Sequence, residues 1–388
     1  MKKIAIFGAT GSIGSSLLNI IKKDKKSFNV MLLTANKDYK KLIKQAKIFS
    51  VKNIIITDKK YFLIATNLLR NTNIKVFENF DSLNQIFNKN KKIDYAMCAI
   101  SGFQGLKPTI DIIKYTQTIA IANKESIICG WNLIKKDLKK FNTNFIPVDS
   151  EHFSIWSLIK HNKNSNFEMV YITASGGPFR NLPLNKFKDI TIKNALKHPN
   201  WLMGKKISID SATMMNKVFE IIEAKKIFDL KYSQLEILVH PKSYLHAIVK
   251  FNNGLSKLLV HDTNMTIPIF NSIYNNNEKN IKSKKINIDV LNNLDLKKVD
   301  NIKFPVIKII KKLLEKDSLF ETVIVSANDK LVNLFLNNKI KFIDISNILL
   351  KVCTLPEFKK FRQIKPKNID DINNLAHYVS LKIDSMGV

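Results

Sequence analysis

The sequence predicts an α/β fold: a doubly wound parallel sheet, then an α+β region, then a small helical region. Three observations predict it. Short apolar runs alternate with lysine-rich helical patterns over the first 149 residues, the pattern of βαβ units. The first run, Ile4-Ala5-Ile6-Phe7, leads into a glycine turn, Gly8-Ala9-Thr10-Gly11-Ser12-Ile13-Gly14, and then a helical pattern. Further on, Asn252-Asn253-Gly254 joins two strand-like runs, 245–251 and 255–260, as a hairpin signal that calls for antiparallel strands.

A chain of 388 residues suits two or three domains, and a hydrophobic content of 45% is ample for their cores. No apolar run approaches the ~18 residues of a membrane span. Met1-Lys2-Lys3 runs straight into a strand and glycines rather than a signal-peptide cleavage site, so a cytoplasmic location is expected. Cys98, Cys129 and Cys353 are far apart and in apolar surroundings, which suits buried thiols in a reducing compartment. The formal charge of +31 would suit a nucleic-acid or membrane partner. The lysines, however, are spread over every segment together with Asn and Ile, so the charge is a composition bias without a patch. No nucleic-acid or membrane partner is expected. A positive field still favours phosphorylated substrates.

Along the chain, the glycines permit a tight turn and close approach of a pyrophosphate to the following helix N-terminus. Their spacing is G-x-x-G-x-x-G, not G-x-G-x-x-G. The second strand, 30–33, ends in Thr34-Ala35-Asn36-Lys37-Asp38. An NAD site places an acid there, about 20 residues after the glycines. Here the first acid follows Lys37, which favours the extra phosphate of NADP. More strands are expected at 53–57, 94–100 and 118–122, with Asn123-Lys124-Glu125-Ser126 at the carboxyl end of the last. The strand 144–148 ends in Asp149-Ser150-Glu151-His152. In an extended backbone Asp149 and Glu151 project to one side, where a shared cation or a basic neighbour must hold both charges. Hard oxygen ligands suit Mg²⁺ or Mn²⁺.

Residues 150 to about 274 differ in character. A strand at 169–173 ends in the small-residue loop Ala174-Ser175-Gly176-Gly177-Pro178-Phe179-Arg180. The stretch 197–204, with His198 just before Pro199 and Trp201 between Pro199 and Gly204, has the composition of a flexible lid. Residues 207–213 read as a serine-bearing turn before a helix starting near Met214. On that helix Asn216, Lys217, Glu220 and Glu223 share a face opposite Val218, Ile221 and Ile222. Such a face is either ordinary solvated surface or a holder for a phosphate and a metal ion. Residues 275–300 form a polar connector, and helical patterns follow at about 306–316, 322–337, 343–352 and 368–382. The expected domains are therefore 1–149, 150–274 and 301–388, with 275–300 linking the last two.

The segments GATGSIG (8–14), ANKES (122–126), PVDSEH (147–152), TASGGPFR (173–180), KHPNWLMGKK (197–206), DSATMMNK (210–217) with Glu220, and HPKSYLH (240–246) occur in one order. Together the chain resembles the 1-deoxy-D-xylulose 5-phosphate reductoisomerase family over nearly its whole length. The resemblance implies a Rossmann-like NADPH domain, a catalytic domain with a flexible lid, a C-terminal helical domain and a homodimer. It matches Asp149, Glu151 and Glu220 to metal ligands, and Ser175, Ser211, Asn216 and Lys217 to phosphate-binding residues. Lys124, Ser150 and His198 match further substrate contacts, and Trp201 matches the aromatic that covers the substrate. Lys124, His198 and Trp201 thus join the three carboxylates as catalytic candidates. Thr10, Gly11, Ser12, Ile13, Asn36, Lys37, Asp38, Asn123, Glu125 and Gly204 match cofactor contacts. Asn36 departs from the Gly of some members, so a positive φ is expected there. The implied reaction is a metal-dependent retro-aldol and aldol rearrangement of the sugar phosphate, followed by reduction with NADPH to 2-C-methyl-D-erythritol 4-phosphate. The competing readings are a plain NADP-dependent dehydrogenase of a phosphorylated small molecule and a basic nucleic-acid-binding protein. The roles of His152, His240, His246 and Glu223 stay open.

Overall fold

The computed structural model describes residues 1–160, 167–201, 203–274 and 279–387. It folds as two compact units. The first comprises residues 1–126, 133–153 and 265–282; the second comprises 127–132, 154–264 and 283–388.

The first unit is built on a seven-stranded parallel sheet. Its strands are β1 (Lys2–Phe7), β2 (Phe28–Ala35), β3 (Asn53–Ile56), β4 (Lys75–Phe77), β5 (Ile93–Cys98), β6 (Thr116–Ile121) and β7 (Asn144–Pro147). The spatial order is β4-β3-β2-β1-β5-β6-β7, so β1 lies at the centre and the strand order reverses there. Helices on both faces explain why the strands read as near-continuous apolar runs. Ile4, Ala5, Ile6, Leu32, Leu33, Ile54, Ala96 and Ile119 are all fully buried. Strand β4 was not legible in the sequence: it is three residues long, one of them a lysine.

The helix Ser12–Lys23 follows β1 and buries Leu17, Leu18, Ile20 and Ile21. The helix Thr266–Tyr274 packs into the same core, with Ile269, Phe270, Ile273 and Tyr274 beside Leu17, Ile21 and Phe28. Tyr274 Oη donates to Asp24 Oδ2 at 2.9 Å, Lys2 Nζ donates to the Ile273 carbonyl at 2.9 Å, and Tyr95 Oη lies 2.8 Å from Ser272 Oγ. This apolar helix comes from the far end of the segment expected to form the second domain. Residues 275–278, the start of the expected connector, lie outside the described residues.

The second unit carries a five-stranded mixed sheet of β8 (Phe167–Ala174), β9 (Leu235–Val239), β10 (Leu245–Phe251), β11 (Ser256–Val260) and β12 (Lys297–Lys298), in the order β11-β10-β8-β9-β12. Strand β10 is antiparallel to β8 and β11, and β8 is parallel to β9. The expected hairpin closes with Gly254 at φ +85°. Between β8 and β9 the chain runs through the helices Lys205–Ala212 and Met215–Phe228. Helices Phe320–Leu336, Phe342–Val352 and Ile369–Ser385 match three of the four patterns near the end. The fourth, expected at 306–316, is instead a 3₁₀ helix, Pro305–Lys312. Its buried residues, Val306 and Ile309, lie three apart, which suits three residues per turn.

The glycine turn illustrates how tightly the sequence fixes local structure. Gly8 sits at φ +81°, and a Cβ there would lie 2.6 Å from the Ala99 carbonyl oxygen. A Cβ on Gly14 would lie 2.6 Å from Ala9 Cα, so the helix can cross the turn only because Gly14 has none. Gly14→Ala is expected to cost roughly 2–3 kcal/mol of stability and to weaken NADPH binding, because backbone, not a movable side chain, must yield. Thermal unfolding and cofactor titration check this; unchanged values for both would show that the turn is loose.

Candidate active site

In the first unit, candidate residues gather at the carboxyl ends of β1, β2, β6 and β7. Gly11 and Ser12 are exposed at the start of the helix Ser12–Lys23, where the Gly11 cap has no side chain to accept from its first N–H groups. Asn36, Lys37 and Asp38, all exposed, follow β2. Asp38 caps the next helix by accepting from Lys41 N at 3.1 Å, and Asn36 Nδ2 donates to Thr57 Oγ1 at 2.8 Å. Asn36 is not among the residues with positive φ, so that expectation is corrected. Its side-chain bond to Thr57 holds it without a left-handed backbone. After β6, Asn123 caps the helix Lys124–Lys140 through Ser126 N at 2.6 Å and donates to the Gly102 carbonyl at 3.0 Å. This places Lys124 and Glu125 in the helix's first turn, both nearly buried.

The Asp149 stretch differs from the extended geometry expected for it. Strand β7 ends at Pro147, and Ser150–Ile159 is a helix. Asp149 and Glu151 meet at a helix start rather than along a strand. Glu151 N donates to Asp149 Oδ1 at 3.2 Å, and Phe153 N to the Asp149 carbonyl at 2.8 Å, so Asp149 acts as the cap. Lys124 Nζ lies 3.6 Å from Asp149 Oδ2, and His152 Nδ1 lies 3.2 Å from Asp149 Oδ1. Ser150 Oγ donates to Glu151 Oε2. The basic neighbour that two close carboxylates require is thus present in Lys124.

In the second unit, the helix Met215–Phe228 is buried nearly all round, not split into a wet and a dry face. Lys217, Glu220 and Glu223 are as inaccessible as Val218, Ile221 and Ile222. Glu220 is 1% exposed; it accepts from Lys217 Nζ at 2.5 Å and from Asn216 Nδ2. Buried charge held this way belongs to a site rather than a surface. Ser211 lies in the helix Lys205–Ala212, and not in a turn as expected. The two helices join through Met214, whose φ of +66° is unusual for a side chain of that size. Gly204 caps the helix Lys205–Ala212 at its other end, where a Cβ would meet nothing within 4 Å.

The loop after β8 turns on Gly176 (φ +79°) and Gly177 (φ +68°). A Cβ on Gly177 would lie 2.8 Å from the Ser211 carbonyl oxygen, so the loop and the Ser211 helix touch through their backbones. Gly177 N donates to Ser175 Oγ at 3.1 Å. His198 Nδ1 accepts from Asn200 N at 3.2 Å and Trp201 N at 3.0 Å, which puts the ring proton on Nε2. From there it faces Ser175 Oγ at 3.1 Å. Burial, then the nearby charges of Lys217 and Arg180, push the His198 pKa down from 6.5 to about 4. Ser175, Ser211, Asn216, Lys217 and His198 therefore form one neighbourhood, with the cation of Arg180 beside that of Lys217 in acting on His198. Trp201 packs edge-on against His246, at a centroid distance of 6.1 Å, and His246 stacks on His261. Leu202, within the expected lid, lies outside the described residues.

Two results follow for His198. Its ring C–H resonances are expected to titrate near pH 4. The unfolded chain takes up the same proton at about pH 6.5, so this group's contribution to stability is complete above 6.5 and is lost as pH falls toward 4. An NMR midpoint near 6.5 would contradict the buried, cation-flanked setting.

A sequence model of 1-deoxy-D-xylulose 5-phosphate reductoisomerase matches residues 4–130, and models of that enzyme's C-terminal domains match 145–228 and 261–379. A protein of that name from Pelagibacter ubique is 76% identical over 388 residues, the full length of both chains. The chain belongs to the 1-deoxy-D-xylulose 5-phosphate reductoisomerase family. A Sulfurihydrogenibium member is 37% identical over 372 residues, 96% of this chain and 94% of its own. The reductoisomerase of Zymomonas mobilis, solved with NADPH, has a TM-score of 0.88 at 30% identity, over 99% of this chain and 98% of its own. A reductoisomerase solved with NADPH, fosmidomycin and magnesium has a TM-score of 0.90 at 28% identity, with the same coverage. The Rossmann-like first sheet and the helical C-terminal region are those of the reductoisomerase fold.

Some features around the candidate site carried no signal in the sequence. The strained Met214 is a buried methionine beside another methionine, and nothing in its residue type announces a left-handed backbone. The contact of His152 with Asp149 needed the helix start that the extended reading missed. Asp149, a favoured cap residue, followed by Glu151 in the first turn is a helix-start signal that was available.

Proposed function

We propose that this chain converts 1-deoxy-D-xylulose 5-phosphate to 2-C-methyl-D-erythritol 4-phosphate by a rearrangement and an NADPH reduction that need a divalent metal. The observation that carries the reading is the carboxylate set Asp149, Glu151 and Glu220, which occurs with a nucleotide turn and a phosphate loop in one chain. A plain dehydrogenase needs the turn and the loop but has no use for three carboxylates. Their hard oxygens fit Mg²⁺ or Mn²⁺ and suit Zn²⁺ poorly. The exposed Gly11 and Ser12 at a helix N-terminus fit a dinucleotide pyrophosphate.

A divalent ion held by those three carboxylates would polarise the substrate's carbonyl and stabilise negative charge as it develops. Lys124, paired with Asp149, limits the repulsion between Asp149 and Glu151 before an ion binds and can meet negative charge on substrate oxygens. Ser150 fixes the Glu151 carboxylate through its hydroxyl. Ser175, Ser211, Asn216 and Lys217 hold the phosphate, and the neutral His198 donates through Nε2 to fix the Ser175 hydroxyl. Binding energy from the phosphate, remote from the reacting carbons, orients them. Trp201 covers the substrate against water. Thr10 to Ile13, Asn123, Glu125 and Gly204 meet the cofactor, with Asn36, Lys37 and Asp38 at its adenosine phosphate.

The expected division into an NADPH part (1–149), a catalytic part (150–274), a linker and a helical part (301–388) stays a proposal about roles. So do a cytoplasmic location and a homodimer. Among the described residues no helix is long and apolar enough to cross a membrane. Strand β11 is a sheet edge that leaves Leu258 exposed, a surface suited to a second copy. Incubation with the sugar phosphate, NADPH and Mg²⁺, with the product identified by NMR, tests the reaction. A reduced product with the unrearranged carbon skeleton would favour the plain dehydrogenase.

A further inference from the structure

The reading above leaves Arg180 without a role, yet three contacts converge on it. Its Nη1 donates to the Ser175 carbonyl at 3.3 Å. Its stem packs under Gly176, where a Cβ would lie 3.0 Å from Arg180 Cβ and 3.3 Å from Arg180 Cδ. Its own carbonyl accepts from Lys303 Nζ at 2.8 Å. The residue before it, Phe179, is 5% exposed and locked between Phe187 and Phe342, at centroid distances of 6.1 and 5.1 Å. The loop is thus anchored at Phe179, and the arginine reaches back across two left-handed glycines to its start.

We infer that Arg180 is a positioning residue for the phosphate end of the substrate: it braces the Ser175-Gly176-Gly177 turn through the Ser175 carbonyl and places a second cation beside Lys217. The inference rests on the reading that this cluster binds the substrate phosphate. Ser175 Oγ already accepts from Gly177 N and faces His198 Nε2, so its remaining hydroxyl proton is available to an anion only if the turn holds its shape. The arginine holds that shape through the Ser175 carbonyl and its packing under Gly176. Burial keeps the His198 ring neutral and therefore a single-proton donor, and the fixed charges of Lys217 and Arg180 act in the same direction. A lysine would keep the charge but lose the planar fork that reaches a carbonyl along a packed stem.

The test uses the full chain, Arg180→Gln and Arg180→Lys, with steady-state kinetics, inorganic phosphate binding and NMR titration of His198. For Arg180→Gln, sugar-phosphate KM and phosphate Kd should both rise about tenfold, with kcat and the NADPH KM within about threefold of normal. The His198 midpoint should move up from near 4, because one of its two cationic neighbours is gone. Arg180→Lys should restore the His198 midpoint and only part of the phosphate affinity. Unchanged phosphate Kd in Arg180→Gln would overturn the inference. So would a parallel loss of kcat, both KM values and melting temperature with an unmoved His198 titration, since that marks a purely structural residue. If the wild-type chain binds phosphate but does not turn over the sugar phosphate, the functional reading fails, and phosphate binding and the His198 titration still decide the role of Arg180.

Discussion

Glu220→Gln is expected to lower turnover by about a thousandfold or more while NADPH binds within about twofold of its normal affinity. Glutamine has the shape of glutamate, so the buried position at the middle of the helix Met215–Phe228 is refilled without a cavity. What changes is charge. The amide offers one neutral oxygen in place of a carboxylate, and Lys217, 2.5 Å from Glu220 in the native protein, loses the anion on its own helix. The cofactor candidates Thr10 to Ile13 and Asn36 to Asp38 belong to the first unit, and Glu220 to the second, which is why the two effects should separate. Turnover from nicotinamide absorbance and NADPH affinity from fluorescence titration check this together. Activity within about tenfold of normal would remove Glu220 from the metal set.

Lys217→Met is expected to raise the sugar-phosphate KM by about a hundredfold and to lower kcat as well. Methionine keeps most of the buried stem but removes the cation. Glu220 is 1% exposed and would then be a buried carboxylate that keeps the Asn216 amide but has lost the Lys217 cation. Breaking one side of a buried ion pair leaves the other side uncompensated, at a cost of roughly 3–5 kcal/mol. The melting temperature should therefore fall, and saturating Mg²⁺ should recover part of the loss by neutralising Glu220. Stability unaffected by the substitution would mean that the pair is not the support described here.

Much of the fold was legible because its elements carry strong local signals. Ile4 to Phe7 followed by glycines can scarcely be anything but a strand and a nucleotide turn, and Gly14 is now seen to be required by contact with Ala9. The hairpin at Asn252-Asn253-Gly254 was equally plain. Less legible were features set by tertiary contact. Three residues of β4 do not make a periodicity. The helix Thr266–Tyr274 joins the first unit because its apolar face fits beside Leu17 and Phe28, and no local pattern says which core it enters. At the site, residue types were readable and geometry was not. Asp149 and Glu151 were paired for the wrong reason, since a helix cap brings them together and not strand alternation. Spacing puts Asn216, Lys217, Glu220 and Glu223 on one polar face, whereas packing buries nearly the whole helix and makes those charges dependent on one another. Arg180 belongs to the motif TASGGPFR, but only the folded loop shows its guanidinium turning back on Ser175.

The most direct test of the central claim is the loss of reduced-nicotinamide absorbance with 1-deoxy-D-xylulose 5-phosphate, followed with Mg²⁺, with Mn²⁺ and after thorough chelation. The account predicts oxidation of NADPH that vanishes with the chelator and returns on adding either ion. Activity that survives complete metal removal would contradict the role given to Asp149, Glu151 and Glu220.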